Sequence, residues 1–382
     1  MDRTLRVIVV TLIAASSAAC QPEVEQHSAP LGSLRVGSLL GGVDDSGFRR
    51  ADVPRAFEFP SDYGAHEAYR SEWWYLTMVL DDDLGREYGV QFTLFRQALG
   101  PPVAEKNPWL TNQAYLAHFA VSDVASNQHR AFERFARGHP ELAGVTSEPF
   151  GLWLEDWRLA TLAEQQQDET VKGKQRWRLS AGEVNNRLEA VVEVLEPLVL
   201  QGEDGLSAKS ANQASYYYSM PRLAVSGSLT LEGRARTVTG TGWLDREWST
   251  SVLSTGQLGW DWFALHLADG SDLMVFQLRR KDGQRDPYDQ GMLITADGVQ
   301  MPLRPEDFEL QPLRLWEDGT GARWPVAWRV TVGDSSWEVR AAMDDQRMDT
   351  SIVYWEGLVH LFDGDGLRTG RGYMELTGYR DE

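Results

Sequence analysis

Carboxylic acids lie next to tryptophans in two segments of the sequence. Glu72 directly precedes Trp73-Trp74-Tyr75, and Asp245 and Glu247 follow Trp243 at intervals of two residues. Residues two apart in a strand share a face, so Trp243, Asp245 and Glu247 are expected to point the same way. A carboxylic acid in an apolar pocket has a raised pKa and can protonate a feeble base such as an alkene. Asp245, Glu247 and Glu72 are therefore the candidate catalytic carboxyls.

The cation that forms when an alkene is protonated needs an aromatic wall, because ring faces attract positive charge. The sequence has 15 tryptophans, and each combines a large apolar body with one N–H donor. We add one histidine that alternates with small residues on a predicted strand. The candidate ligand-binding residues are Trp73, Trp74, Tyr75, His118, Trp243, Trp248, Trp260 and Trp262.

The same side chains could instead be architectural. Glu72 and Glu247 could form ion pairs with Arg96, Arg246 or Arg279 at a barrel mouth. The tryptophans could fill a core, and each histidine could be a hydrogen-bonded structural residue. No histidine spacing suggests a metal site, so none is predicted.

Other catalytic patterns were sought and not found in the sequence. It contains no Gly-x-Ser-x-Gly elbow, no His-Glu-x-x-His motif, no phosphate-binding glycine loop and no dinucleotide fingerprint. We predict no cofactor and disfavour an ordinary serine or thiol hydrolase. Paired carboxylates with aromatic strips leave a glycosidase as a minor alternative.

Alternation of apolar and polar residues predicts that strands dominate after residue 70. Val90-Gln91-Phe92-Thr93-Leu94 and Trp328-Arg329-Val330-Thr331-Val332 are examples. This pattern, with frequent Gly, Asp and Asn breaks, is typical of half-buried antiparallel strands. Helices are predicted only at 130–137 and 160–168. An all-β chain of this kind forms barrels or, alternatively, a pair of sandwiches.

An internal repeat divides the chain into two related halves. Trp73-Trp74-Tyr75 with Phe92–Arg96 in the first half matches Trp260–Phe263 with Val275–Arg279 in the second. The back ends align at an offset of 130 residues. That alignment pairs Gly227 with Gly357, Leu231 with Leu361, Gly242 with Gly372, Trp243 with Tyr373 and Asp245 with Glu375. We predict one domain over 57–255 and another over 256–382, each a barrel able to hold one small ligand.

The N-terminus carries the features of an export signal. Arg3 and Arg6 precede an apolar run that is too short to span a bilayer, and small residues then lead to Cys20. This arrangement resembles a bacterial lipobox, although Ser17 stands where leucine is usual. We predict a signal peptide over 1–19, lipidation at Cys20 and a flexible, lipid-anchored tether over 20–56. Plain secretion is the alternative.

Composition limits the partners and the compartment. The 382 residues carry 37 Lys and Arg against 56 Asp and Glu, a formal net charge of −19. Such a charge argues against nucleic acid and against binding to anionic lipid heads. The prediction is an exported, membrane-anchored lipoprotein facing the periplasm or the cell exterior. Its partners would be an apolar small molecule and a membrane contacted through the lipid anchor only.

Several long motifs resemble the AttH-like, carotenoid 1,2-hydratase-like family. They are Phe59–His66 with Tyr69–Tyr75, Ala117–Ala120, Gly242–Trp248, Gly259–Phe263 and Gly370–Tyr379. The resemblance runs from about residue 57 to the end of the chain. It implies two tandem lipocalin-like, calycin-type antiparallel β-barrel domains. It also implies kinship with cofactor-free enzymes that hydrate or cyclise apolar polyene-type substrates; many members are labelled secreted hydrolases.

One departure from the family pattern bears on activity. Carotenoid hydratases resemble this chain on one strand but carry Asp-His-Asn-Trp where it has Asp245–Trp248, so the histidine is missing. A Tyr and an Asp associated with their activity are replaced by residues of the run Leu273–Phe276. The sequence leaves three hypotheses open: a lyase or isomerase with Asp245 as proton donor, a non-catalytic carrier of a lipid or pigment, and a structural lipoprotein of the cell envelope.

Overall fold

The structure is a computed structural model that describes residues 45–102, 111–162, 175–251 and 253–380. The predicted signal peptide and Cys20 lie outside these residues. Two single-turn 3-10 helices, Ser61–Tyr63 and Pro305–Asp307, accompany the strands. Among the described residues, no helix has the length and apolar character needed to cross a membrane.

The first half forms one large antiparallel sheet. Along the sheet the main strands run in the order β4-β3-β2-β1-β13-β12-β9-β8-β7-β6-β5, with β10 and β11 paired to β12. The sheet curls, because β2, β3 and β4 near one edge contact β6 near the other. The strands are β1 (Ser71–Asp82), β2 (Glu87–Ala98), β3 (Gln113–Asp123), β4 (Gln128–Arg137), β5 (Ala143–Ser147), β6 (Phe150–Leu154), β7 (Trp157–Thr161), β8 (Arg176–Glu183), β9 (Asn186–Val194), β10 (Val199–Leu200), β11 (Leu206–Ser210), β12 (Gln213–Leu231) and β13 (Arg234–Ser249).

The second half forms a smaller antiparallel sheet with the same wiring. The order is β17-β16-β15-β14-β23-β22-β20-β19-β18, with β21 paired to β22. The strands are β14 (Gln257–Leu267), β15 (Asp272–Arg280), β16 (Gln290–Ile294), β17 (Gln300–Leu303), β18 (Phe308–Glu317), β19 (Arg323–Val332), β20 (Ser335–Ala341), β21 (Arg347–Asp349), β22 (Val353–Phe362) and β23 (Arg368–Leu376). The predicted fold class, an all-β chain with two tandem lipocalin-like halves, is confirmed.

Strand pairing shows which residues of the two halves are equivalent. Tyr75 of β1 is opposite Asp245 of β13, and Trp262 of β14 is opposite Glu375 of β23. The offset of 130 residues therefore relates β13 to β23. Each of these closing strands has a glycine where it crosses its neighbour. A Cβ on Gly240 would clash with the carbonyl oxygen of β1, as would one on Gly372 with that of β14.

The offset of 130 is wrong for the neighbouring strand. Gly357 of β22 is opposite Met374, whose counterpart Leu244 is opposite Met220 rather than Gly227. The predicted match of Leu231 with Leu361 fails for the same reason. The β12–β13 hairpin closes on a two-residue turn, 232–233, whereas 363–367 separate β22 from β23. Residues in β12 and β22 therefore correspond at an offset of 136 or 137 residues.

Each half fills its own interior. Trp74, Trp157 and Trp248 are buried inside the first sheet with a large apolar cluster. Trp324, Trp328 and Trp355 are buried inside the second. A third apolar cluster joins the outer faces of the two sheets, where it includes Tyr75, Tyr217, Trp243, Trp262 and Tyr373. The expectation of a ligand held inside a barrel is not met by these interiors.

The predicted helix at 130–137 is wrong, because these residues belong to strand β4, which pairs with β3 along its whole length. Phe132 and Ala136 pack against the core of the first sheet, while Phe135 is exposed. Their spacing also fits a helix, so the sequence pattern was ambiguous. Of the predicted helix at 160–168, residues 160–161 end strand β7 and 163–168 lie outside the described residues.

Part of the predicted tether packs on the first half. Ala51 is buried, the Thr250 hydroxyl donates to the carbonyl of Arg49, and the Tyr216 hydroxyl donates to the carbonyl of Val53 at 2.9 Å. Residues 45–56 are thus held by hydrogen bonds and do not form a free tether. Residues 20–44 lie outside the described part of the chain. The first sheet ends at Ser249 and the second begins at Gln257.

Candidate active site

A cavity lies between the two sheets, against the outer face of each. Its empty space is about 820 Å³, counted out to the open mouth. That is the size range of pockets for small molecules. The wall is mainly aromatic and aliphatic, with a few polar groups. It is lined by Trp73, Tyr75, Phe95, His118, Lys209, Tyr217, Asp245, Glu247, Leu253, Trp260, Trp262, Phe276, Leu278, Ile352, Tyr354 and Glu375.

Asp245 is a buried carboxyl on this wall, supplied by β13. The Ser219 hydroxyl and the Trp243 indole N–H donate to its Oδ1 at 2.5 and 2.7 Å, and the Tyr217 hydroxyl donates to Oδ2 at 2.5 Å. Burial raises the pKa of Asp245 to about 7, against the lowering effect of these donors, and the charge of Glu247 adds to the rise. The acid is thus poised near neutrality, and three donors stand ready to stabilise its carboxylate.

Glu247 continues the same face of β13 but has a cationic partner. Lys209 Nζ lies 3.3 Å from Glu247 Oε1, and the Ser215 hydroxyl donates to the same oxygen. Lys209 also lies over the ring of Phe276, 4.2 Å from its centroid. This pair places one cation and one carboxylate at an otherwise apolar wall. We assign Glu247 an electrostatic and anchoring contact with Lys209 in preference to proton donation.

Glu375 is the acid that the second half contributes. It accepts a hydrogen bond of 3.1 Å from the Trp260 indole, and burial raises its pKa to about 8. Its neighbour across β22–β23 is Glu356. Burial, together with the charge of Glu375, raises the pKa of Glu356 well above its usual range. Neither Glu356 oxygen has a hydrogen bond of good geometry, although the hydroxyls of Tyr75 and Tyr354 lie beside it.

His118 reaches the cavity from β3 and joins the two halves. Its Nδ1 lies 2.8 Å from the Tyr354 hydroxyl of β22, and its Nε2 lies 3.0 Å from Glu133 Oε2 of β4. Ser351 in the second half donates to the same Glu133 oxygen at 2.6 Å. Burial lowers the pKa of His118 against the opposing effect of Glu133. The imidazole therefore favours its neutral form.

The structure brings most of the sequence-predicted residues to this one cavity. Asp245, Glu247, Trp73, Tyr75, His118, Trp260 and Trp262 line it. Trp243 lies behind the wall and contacts it through its hydrogen bond to Asp245. The Trp262 indole donates to the Tyr217 hydroxyl at 3.3 Å, and its ring meets Tyr75 edge-on at a centroid distance of 5.3 Å.

Three predicted residues face away from the cavity. Glu72, Trp74 and Trp248 point into the first sheet, because neighbouring side chains on a strand alternate between faces. The Glu72 carboxylate is bound by the guanidinium groups of Arg96 and Arg246. Burial alone would raise the pKa of Glu72, but these charges hold it well below its usual range. The hypothesis of a catalytic Glu72 is therefore replaced by an architectural ion-pair cluster.

The aromatic members of that cluster explain the other two tryptophans. The Arg246 guanidinium lies 3.9 Å from the centroid of Trp74, and the His66 ring stacks on Trp248 at 3.9 Å. The Trp74 indole donates to the carbonyl of Tyr63 at 2.9 Å. Trp74 and Trp248 are thus interior packing residues and not ligand contacts.

Several cavity residues were missed by the sequence reasoning. Glu375 had a signal, since the repeat aligned it with Asp245. Tyr217 and Tyr354 also had one, because each lies on the strand next to a candidate acid, but the wrong offset for β12 and β22 concealed their equivalence. Lys209 had no signal in the sequence, since it lies on a short strand outside the repeat. Among the described residues, no group of three or more His, Cys, Asp or Glu side chains could hold a metal ion.

Comparison with known proteins identifies the class of protein. The chain belongs to the AttH-like family, whose model matches residues 50–379. This confirms the family resemblance found in the sequence. A crystal structure of an AttH candidate from Nitrosomonas europaea is 37% identical, with a TM-score of 0.75, and the match covers 87% of this chain and 100% of that one.

More distant structures share the fold. Kievitone hydratase from Nectria haematococca matches with a TM-score of 0.63 at 14% identity, covering 88% of this chain and 98% of that one. CghA matches with a TM-score of 0.52 at 13% identity, covering 92% and 99% respectively. These identities show a common fold and no more. No curated protein matched the chain.

Proposed function

We propose that the cavity between the two sheets protonates and hydrates an apolar, unsaturated small molecule, with Asp245 as the proton donor. The observation that carries the proposal is a buried carboxyl with a pKa of about 7 on an aromatic cavity wall. A hydratase among the proteins of the same fold supports the reaction class. The product would be an alcohol, and the reaction is a lyase-type addition.

The surroundings of Asp245 suit an acid that must give up its proton. Its protonated form is abundant up to neutral pH because burial disfavours the charge. Once the proton has moved to carbon, the carboxylate keeps the hydrogen bonds from Ser219, Trp243 and Tyr217. Such fixed donors stabilise the charge without rearranging, which lowers the barrier to transfer.

The aromatic wall suits the other half of the charge separation. Trp73, Trp260 and Trp262 line the cavity with Asp245. Ring faces attract a carbocation, by about 0.5–2 kcal/mol for each well-placed ring. The negative charge of Glu247 is partly balanced by Lys209. The wall can therefore support a short-lived cation without trapping it as a salt.

The competing hypothesis is a carrier that binds an apolar molecule and performs no chemistry. An aromatic cavity of about 820 Å³ suits a carrier as well. The two differ in what Asp245 does to the bound molecule. Only an enzyme requires its proton.

The test is to purify the full chain, denature it and identify the co-released small molecules by mass spectrometry. Asp245→Asn is examined beside it, with Asp289→Asn as the matched control. Burial also raises the pKa of Asp289 to about 7, but it lies outside the cavity lining. An alcohol from the parent and the control, replaced by its alkene precursor in Asp245→Asn, supports the hydratase. The same molecule from all three proteins means that the protein is a carrier.

We also propose that the protein acts outside the cytoplasm, anchored by a lipid on Cys20. The basic start, short apolar run and small residues before this cysteine support export and lipidation. The net charge of −19 makes the anchor the natural membrane contact, because an acidic body is repelled by anionic lipid heads. An apolar substrate would be available at such a membrane.

A further inference from the structure

Three side chains from three strands form a chain of polar contacts that ends at the cavity. Glu133 contacts His118 Nε2 at 3.0 Å, and His118 Nδ1 contacts the Tyr354 hydroxyl at 2.8 Å. His118 and Tyr354 both line the cavity, as Asp245 does. The order is carboxylate, imidazole, hydroxyl, which is the order that activates a hydroxyl for proton transfer.

The partners of the imidazole fix where its proton lies. Although burial acts to raise it, hydrogen bonds from His118 and Ser351 hold the pKa of Glu133 below its usual range, so it is a carboxylate and can only accept. His118 must then carry its proton on Nε2, which leaves the Nδ1 lone pair to accept from Tyr354. Glu133 and Tyr354 are the titratable groups in contact with the ring, and Glu356 lies beyond Tyr354.

We propose that Tyr354 and His118 form the base of the site, and that they take the proton of the water that attacks the cation made by Asp245. This rests on the proposed hydration. The alkene takes the Asp245 proton to form a C–H bond, and water forms the C–O bond. A water proton passes to the Tyr354 oxygen while the Tyr354 proton moves to His118 Nδ1. The atoms of alkene and water appear in the alcohol, and the protein is left with Asp245 ionised and His118 protonated.

The duplication explains how acid and base came to share one cavity. Tyr217 and Tyr354 hold equivalent positions in β12 and β22, because Ser219 is opposite Asp245 and Glu356 is opposite Glu375. Tyr217 donates to the acid Asp245, whereas Tyr354 donates to the base His118. The same tyrosine thus serves opposite ends of the proposed proton transfer in the two halves.

A purely structural role is the alternative, because the His118–Tyr354 contact also joins the two halves. A second histidine does this without touching the cavity: His360 Nε2 lies 2.6 Å from Glu87 Oε2 across the same two sheets. His360→Gln is therefore the matched control for a lost contact between the halves.

The experiment follows two isotopes in one reaction. The full chain is incubated in D₂O enriched in oxygen-18, with the alkene released from Asp245→Asn and with geraniol and squalene as fixed probes. Deuterium in recovered alkene reports protonation, and oxygen-18 in alcohol reports attack by water. Tyr354→Phe and His118→Gln should lower oxygen-18 incorporation by about 10²-fold or more while deuterium exchange persists. Asp245→Asn should abolish both, and His360→Gln should change neither.

The outcomes separate the two proposals. No isotope incorporation by the parent protein overturns the hydration itself. Oxygen-18 incorporation that is unchanged in Tyr354→Phe, with an active parent, overturns the base assignment alone. Nitrogen-15 NMR of the histidines needs no substrate. It should show His118 neutral and protonated on Nε2 at pH 7, with a midpoint below the ordinary value of about 6.5. An imidazolium at pH 7 would also overturn the assignment.

Discussion

Asp245 and Glu375 hold equivalent positions in the two halves and line the same cavity. Each is opposite an aromatic residue of the neighbouring strand, Tyr75 for Asp245 and Trp262 for Glu375. Asp245 is held by three hydrogen-bond donors, whereas the side-chain donor to Glu375 is the Trp260 indole. The charge of Asp245 adds to the rise in the pKa of Glu375. The duplication therefore produced two unequal acids.

Glu375→Gln should make the protein more stable at alkaline pH. The folded-state pKa of about 8 exceeds the ordinary 4.5, so the folded state holds a proton that the unfolded chain releases. Stability from this group is complete below pH 4.5 and is lost as pH rises through about 8. The amide removes the loss, by a few kcal/mol at order of magnitude. Urea unfolding at pH 5 and pH 9 measures it.

The control for that comparison is Glu317→Gln, which changes an exposed carboxyl on β18. It should leave the pH dependence of the parent in place. A Glu375→Gln protein that loses as much stability as the parent between pH 5 and pH 9 would show that Glu375 is not a buried neutral acid.

Glu72→Gln should destabilise the fold strongly. The change leaves Arg96 and Arg246 buried without their carboxylate, which costs about 3–5 kcal/mol. Chemical denaturation at pH 7 measures the loss. Asp245→Asn is the comparison, since it removes a buried acid that pairs with no cation and should not destabilise. Equal stability of Glu72→Gln and the parent would contradict the architectural role.

Two tryptophan substitutions should separate cavity from core. Trp260→Ala removes a half-buried cavity wall and should weaken binding of the co-released molecule at least about tenfold with the fold kept. Trp74→Ala removes a fully buried interior side chain and should cost about 3–5 kcal/mol of stability. Ligand titration and thermal unfolding of both proteins test this. The assignment fails if the two variants exchange these effects.

Cys20→Ser should release the protein from the membrane. Without a thiol at this position no lipid can be attached, and an acidic body has no affinity of its own for anionic lipids. Detergent phase partitioning and membrane fractionation of expressing cells measure the change. Ser28→Ala, in the same segment, is the control and should stay with the membrane. A Cys20→Ser protein that also stays there would mean that another contact anchors the chain.

Strand alternation and the repeat carried much of the prediction. The period of two placed Trp243, Asp245 and Glu247 on one face, where the structure also has them. Applied to β1, the same rule separates Glu72 and Trp74 from Trp73 and Tyr75; all four had been grouped by neighbourhood in sequence. The helix at 130–137 failed because apolar residues of an edge strand can also fit a helical spacing.

The location of the cavity could not be read from the sequence. It depends on which faces of two sheets meet, and Lys209, Tyr217 and Tyr354 come together only through that packing. The sequence also gives no measure of how completely each barrel is filled by its own side chains. Trp248 and Trp355 look like pocket residues in a list of tryptophans, yet both are interior.

A cavity walled by two separately filled sheets makes its ligand a form of glue. A molecule bound there contacts both halves at once, so it can bind only while they are packed together. Its binding free energy then adds to the cohesion of the two halves, by an amount that grows with the logarithm of its concentration. Starved of ligand, the protein should come apart first along this seam, while each half keeps its own filled interior.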